Sequence, residues 1–180
     1  MANTVFVSIA EINDIPALVV LVNNAYRGEG SKKGWTTEAD LLDGQRTDEK
    51  SLHELITKPC SVILKYTDKK NQLLGCVHLQ PEHNKLYLGM LTVSPVLQGK
   101  GIGKKLLEAS EEYARVHSYP AIVMTVISIR YELIEWYERK GYIRNGQTKP
   151  FPAADPAFGI PLVPLEFIYL EKIIKQIIRN

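Results

Sequence analysis

The residues best suited to chemistry lie between positions 91 and 105. Leu91-Thr92-Val93-Ser94-Pro95 leads into Val96-Leu97-Gln98-Gly99-Lys100-Gly101-Ile102-Gly103-Lys104-Lys105. Three glycines at alternate positions, between a strand-like and a helix-like run, let the backbone turn tightly with several N–H groups aimed one way. The helix start adds unpaired donors and the positive end of its dipole. Such a place suits an anion, for example a pyrophosphate. Lys100, Lys104 and Lys105 stand in or near the first helical turn, where an exposed cation opposes the dipole by about 0.3–1 kcal/mol. A polyanionic ligand would reverse that sign. The plainer alternative is a glycine-rich turn with solvated lysines beside it. Two other phosphate-binding patterns fit less well. A P-loop requires G-x-x-x-x-G-K followed by Ser or Thr, but Gly99 to Gly103 is one residue short and Lys105 stands at the hydroxyl position. The dinucleotide fingerprint G-x-G-x-x-G, counted from Gly99, meets Lys104 at its last place.

Other reactive side chains make weaker patterns. Cys60 and Cys76 lack a metal-ligand spacing and cannot build a disulfide framework, so no metal is expected and a reducing compartment is the natural reading. Cys76 and His78 share one face of a strand-like run with Leu74 and Gln80. Residues two apart on a strand are same-face neighbours, and a Cys–His nucleophilic pair is the less natural reading. With 22 Lys and Arg against 20 Asp and Glu, the net charge is +2. That is too low for a chain whose main task is to coat nucleic acid. Hydrophobic residues at 45% and charged residues at 23% exclude a disordered or collagen-like chain.

These residues need a scaffold. A strand is expected over 6–9, then a helix capped by Asn13 or Asp14, with Pro16 in its first turn and Leu18, Val19, Val22 and Tyr26 turned inward. Short helices are expected over 37–43 and 47–56. From residue 61 the period becomes that of strands, with 61–66, 73–80 and 85–93 joined by short turns into an antiparallel meander. A helix follows the glycine turn to about His117, with Ile102, Leu106, Leu107, Ala109, Tyr113, Ala114 and Val116 on its apolar face. A strand over 121–126 and a helix over 130–140, ended by a left-handed Gly141, come next. Residues 145–164 read as a long loop, and 165–170 as a last strand. The tail from 171 to 180 alternates charged and apolar groups at roughly helical spacing. One domain over 1–180 is expected.

The glycine run resembles the GCN5-related N-acetyltransferase (GNAT) superfamily, whose signature is Q/R-x-x-G-x-G/A after a strand ending in hydrophobic-x-Val. Gln98-Gly99-Lys100-Gly101-Ile102-Gly103 and Leu91-Thr92-Val93 match it. Trp136-Tyr137-Glu138-Arg139-Lys140-Gly141-Tyr142 is similar to the second signature, and the two cover about residues 73–143. The N-terminal helices match in order and rough length only. The resemblance implies an α/β (α+β) fold: a mixed, mostly antiparallel twisted sheet of six to seven strands, flanked by helices. Two splayed parallel strands, 85–93 and 121–126, would hold acetyl-CoA, the co-substrate. Its pantetheine would pair near Leu91, Thr92 and Val93, and its pyrophosphate would rest on the amides from Gln98 through Gly99, Lys100, Gly101, Ile102 and Gly103 to Lys104. The implied chemistry is direct acetyl transfer to an amine. The Val93 amide would face the oxyanion and Tyr137 would give a proton to the coenzyme sulfur; for Tyr137 a core aromatic with a backbone-bonded hydroxyl is the alternative. Two positions depart from the family. Arg130 stands where relatives commonly carry Asn; it would touch the coenzyme or pair with a carboxylate such as Glu132. Tyr87 aligns with a glutamate that serves many relatives as general base. Glu38, Asp40, His78, a water chain or no base at all would then serve.

The acceptor pocket is expected from the early helices, with Tyr26, Trp35 and Glu38 as substrate-binding candidates and Arg27 beside them. Residues 36–54 hold six acids and two bases. They read either as a patch attracting a cationic amine or as solvated helix faces. A small-molecule amine is the expected acceptor, a peptide or protein amine the nearest variant, and a non-catalytic acyl-CoA sensor the second class. No nucleic-acid or membrane partner is expected: the apolar run over 15–22 includes Pro16 and is far short of the roughly 20 residues of a membrane span. The N-terminus lacks the pattern of a secretory leader. A cytoplasmic monomer or homodimer is the resulting expectation.

Overall fold

The computed structural model describes residues 6–175. Along the chain run β1 (Phe6–Ile9), α1 (Ile15–Tyr26), β2 (Leu42–Asp43), α2 (Glu49–Thr57), β3 (Val62–Thr67), β4 (Leu73–Glu82), β5 (Lys85–Val93), α3 (Ile102–Val116), β6 (Ala121–Ile127), α4 (Tyr131–Glu138), β7 (Ile143–Pro150), β8 (Ile160–Pro161) and β9 (Glu166–Ile173). Seven strands form one sheet in the order β1-β3-β4-β5-β6-β9-β7. Every neighbouring pair in it is antiparallel except β5 and β6. This is the mixed, mostly antiparallel α/β sheet flanked by helices that the signature implied.

Alternation along β4 explains the two cores. Val77 and Leu79 join Leu86, Leu88, Leu106, Leu107, Ile134 and Tyr137 in the larger cluster. Cys76, on the opposite face, packs with Leu18, Val22, Leu52, Ile63 and Met90 beneath α1 and α2. A third, smaller cluster joins Leu42, Ile127 and Phe151. Asp14 is the N-cap of α1 and Pro16 stands in its first turn, but the Asp14 carboxylate makes no capping bond to the helix and accepts the Glu11 amide instead. Asp48, rather than Thr47, caps α2, its carboxylate accepting the Ser51 amide at 2.7 Å. Gly141 has φ +89° just after α4, the left-handed residue foreseen there.

Two expectations are corrected. Residues 37–43 do not form a helix. One turn closes on the Glu38 carbonyl, which accepts from the Leu41 and Leu42 amides, and then β2 pairs with β8. Residues 145–164 are not one loop either. Their first part completes β7, an edge strand exposed along its whole length. A register shift between Arg144 and Thr148 and the left-handed Gly146 mark a kink in it. In the tail, residues to Ile173 belong to β9 and Ile174 is buried, while Ile177 and Ile178 lie outside the described residues.

Candidate active site

The sheet opens where its one parallel pair fails. β5 and β6 are in register only at Leu86–Ile122 and Tyr87–Val123. Beyond them the strands part, and the side chains of Tyr87 and Thr125 bridge the divide with hydroxyls 3.0 Å apart. On the other margin β5 carries an extra residue against β4: Cys76 pairs with Thr92 but His78 with Gly89. Met90, within this bulge, adopts φ +51°. A bulge frees backbone groups from the ladder and re-aims side chains. One freed group is used at once, since the Tyr26 hydroxyl donates to the Leu91 carbonyl at 2.9 Å. Burial pushes the Tyr26 phenol up to about 12, so it stays a donor.

Two cavities meet in this opening. The first, of about 430 Å³, is a groove running from Leu91 and Val93 past the glycine turn to Trp136, Arg139 and Lys140. Gly99 and Gly101 hold φ of +80° and +83°, which glycine alone adopts without strain. Among the described residues, the amides of Gly99, Gly101, Ile102, Gly103 and Lys104 have no protein acceptor. Five unpaired donors at the start of a 15-residue helix make a cradle for a polyanion. Gln98, Gly99, Gly101, Ile102, Gly103 and Lys104 line the groove. Lys100 is exposed outside it. The Thr92 side chain is buried and donates to the Met90 carbonyl, and its backbone pairs with Cys76 of β4. The Gln98 side chain works as a tie: its Oε1 accepts the Trp35 amide at 2.9 Å and its Nε2 donates to the Val93 carbonyl at 3.4 Å. Trp35 accordingly lies on the groove, not in the cavity where an acceptor residue was expected.

The second cavity, also about 430 Å³, lies on the α1 and α2 face. At its wall Glu38 is clamped between two arginines. Arg130 Nη1 donates to its Oε1 at 2.9 Å, and Arg27 Nη2 stands 3.6 Å from its Oε2. All three side chains are at most 8% exposed. Arg130 also donates to Thr36 Oγ1 at 2.6 Å, and Arg27 to the Gln45 and Phe158 carbonyls at 2.8 and 2.7 Å. The Arg27 guanidinium is lowered from its ordinary pKa, chiefly by burial, with Glu38 pulling it back up. The Nε donors of both arginines remain unpaired. Arg130 is thus committed to Glu38 and Thr36 at the cavity, not placed along the glycine groove; Glu132 is 3.9 Å from its Nε.

Leu91, Leu133 and Tyr137 line both cavities. Tyr137 is 5% exposed, and its hydroxyl has no hydrogen-bond partner among the described residues. The backbone-bonded alternative for this phenol is therefore not what the structure adopts. Its pKa is raised well above the usual value by burial first and then by nearby Tyr26, so it is protonated at any working pH.

The bases considered from sequence fare differently. Both Glu38 oxygens face guanidinium groups, and Asp40 is exposed outside the cavity. His78 does line the cavity, but burial lowers its pKa to about 4, and its Nε2 lies 2.8 Å from Ser61 Oγ. Such an imidazole is a feeble base. Burial also raises the Cys76 thiol to about 12, which removes it as a nucleophile. Tyr87, which the resemblance aligns with a glutamate of many relatives, is a half-buried phenol whose pKa is raised, chiefly by desolvation. Among the described residues no cluster of His, Cys, Asp and Glu suits a metal ion.

Sequence reasoning missed Arg46, counted only as one base in an acidic stretch. Asn23 places it, with Oδ1 accepting the Arg46 and Thr47 amides at 2.7 and 3.1 Å. No local spacing signals that, because the partners lie more than twenty residues apart. The other acids of that stretch, Asp40, Asp43, Asp48, Glu49 and Glu54, are exposed, as solvated faces would be.

Comparison with known proteins agrees with this geometry. The chain is 24% identical over 124 residues to N-acetyltransferase 8B of Homo sapiens, covering 66% of this chain and 54% of that protein. It is 25% identical over 127 residues to N-acetylaspartate synthetase of Danio rerio, covering 69% and 44%. The chain thus spans about half the length of the curated relatives it matches. The ribosomal-protein-alanine N-acetyltransferase structure from Brucella melitensis superposes with a TM-score of 0.70 at 18% identity, over 93% of this chain and 99% of that one. The profile of the Acetyltransferase (GNAT) family matches residues 22–142, from within α1 to the turn after α4 and so across the glycine cradle, the splayed strands and Tyr137. The chain belongs to that family.

Proposed function

We propose that the protein transfers an acetyl group from acetyl-CoA directly to a primary amine of a small molecule. The observation that carries this reading is the meeting of two cavities at Leu91, Leu133 and Tyr137, one of them ending in five unpaired amides. The groove's chemistry fits acetyl-CoA: donors for a diphosphate at one end, and an opened strand edge for an extended amide-bearing arm. The Gly99–Lys104 amides hold the phosphates, and the backbone of Leu91 to Val93 holds the arm. Bound there, acetyl-CoA supplies an activated thioester.

In the transfer a C–N bond forms and the C–S bond breaks; the thiolate takes a proton from Tyr137, and the proton lost by the amine returns through solvent to the phenolate, so the protons balance. Tyr137 supplies the proton at sulfur, being protonated, otherwise unbonded and present on both cavities. The Val93 amide is assigned to the developing oxyanion. No free carboxylate waits to deprotonate the amine. The guanidinium groups around the cavity favour its neutral, attacking form instead, since nearby positive charge disfavours an ammonium. A small acceptor is favoured over a protein chain because Phe151, Pro152 and Phe158 wall the cavity, Phe158 tied down through the bond from Arg27 to its carbonyl. The test is thiol release from acetyl-CoA across a library of amines and short peptides. Turnover of small amines is the expected result. Tight acetyl-CoA binding with silence from every amine and peptide would refute the enzyme reading in favour of a sensor.

A further inference from the structure

The charged groups lining the acceptor cavity do not balance. Arg27, Arg46, Arg130 and Lys149 face two carboxylates, Glu38 and Glu82. Glu38 is already shared by Arg27 and Arg130, and their Nε donors still lack acceptors. Arg46 is the outlier. Among the described residues its guanidinium has neither a hydrogen bond nor an ion pair; it lies over the Tyr26 ring, 5.2 Å from the centroid. Its charge is not hidden from the cavity, because it lowers the pKa values of Tyr26, His78 and Tyr87, all lining groups. A cationic acceptor would be repelled here, and an anionic group is what the site lacks.

We propose that the acceptor amine carries a carboxylate, as a free amino acid does, and that Arg46 selects it by pairing with that carboxylate. This rests on the acetyl-transfer reading above. Arg46 and the Tyr26 ring beneath it line the same cavity as Leu91 and Tyr137, where the two cavities meet. A guanidinium there can pair bidentately with a carboxylate. A volume near 430 Å³ is at the small end for ligand sites. Phe151, Phe158 and Phe167 give the rest of the wall an apolar surface for a side chain.

The experiment measures thiol release from acetyl-CoA with each of the twenty amino acids as free acid and as carboxamide, and with simple aliphatic diamines. The expected result is that at least one free acid exceeds its own carboxamide by about tenfold to a hundredfold in kcat/KM, the worth of one charge-assisted contact. Arg46→Gln should lower kcat/KM for the free acid far more than for the carboxamide, through KM, and Arg46→Lys should restore part of it. A residue that merely supported Tyr26 would cost both acceptors alike, and that outcome overturns the proposal. So does preference for carboxamides or diamines, or silence from every free acid while calorimetry still detects acetyl-CoA binding. Absence of acetyl-CoA binding instead overturns the acetyl-transfer reading beneath it.

Discussion

Replacing Glu38 by Gln removes one charge from a buried triad while keeping its shape. In the native chain one carboxylate faces two guanidinium groups, with contacts of 2.9 and 3.6 Å and side-chain exposure of 8% or less throughout. In Glu38→Gln both cations stay buried, Arg27 with no counter-charge and Arg130 with only the exposed Glu132, 3.9 Å from its Nε, although the amide oxygen still accepts one hydrogen bond. Breaking a buried pair from one side costs about 3–5 kcal/mol, and the retained bond puts this variant near about 3 kcal/mol. For a chain of 180 residues, each kcal/mol corresponds to about 2–4 °C in Tm, so a fall of about 6–12 °C is expected. Urea denaturation followed by circular dichroism gives the free energy directly, and the double variant with Arg130→Met tests the pairing. There, removal of the orphaned cation should recover part of the loss. A cost below about 1 kcal/mol, or strictly additive single variants, would refute the claim that Glu38 neutralises a desolvated pair.

Three further outcomes follow from other residues. Tyr137→Phe should lower kcat by about 10²–10⁴-fold with little change in acetyl-CoA affinity or Tm, because the hydroxyl has no protein partner to lose; steady-state kinetics and calorimetry separate the two. Gly101→Ala forces a side chain to φ +83° where nothing crowds its Cβ, so strain alone should cost about 1–2 kcal/mol and weaken acetyl-CoA binding by distorting the cradle. His78 is neutral in the fold, its pKa lowered from 6.5 to about 4 by burial. The unfolded chain therefore binds the extra proton first as pH falls, and stability contributed by the neutral ring is lost between about pH 6.5 and 4, by about 3 kcal/mol in all. The difference between wild type and His78→Gln across that range isolates this loss, and a pH-independent difference would contradict it.

What could be foreseen from sequence was whatever depends on local backbone demands. Gly99 and Gly101 announced a tight turn, and Gly141 a left-handed helix end, because other residues are strained there. The meander of β3, β4 and β5 announced itself through alternation and short turns. Tyr137 was placed by its motif, beside a helix terminus that Gly141 fixed. The hidden features depend on partners distant in sequence. The Arg130–Glu38 pair joins residues 92 positions apart, and the Tyr26–Leu91 bond residues 65 apart. Glu38 was singled out as part of an attractive acidic patch, yet the fold spends its charge on two arginines and leaves the cavity cationic. The strand β7 escaped notice because its side chains are all exposed, which erases the alternation that marks a half-buried strand. The two-residue partners β2 and β8 are too short for any period to register.

That polar β7 also bears on behaviour at high concentration. Among the described residues the sheet has two open flanks. One is the four-residue β1, too brief to template a neighbour. The other presents Arg144, Asn145, Gln147 and Lys149, is kinked at Gly146 and stops at Pro150, which has no amide hydrogen to offer. On the β7 side, crowded molecules thus meet a kinked border of mostly charged and polar groups, and stacking through that flank is disfavoured by the same residues that hid the strand.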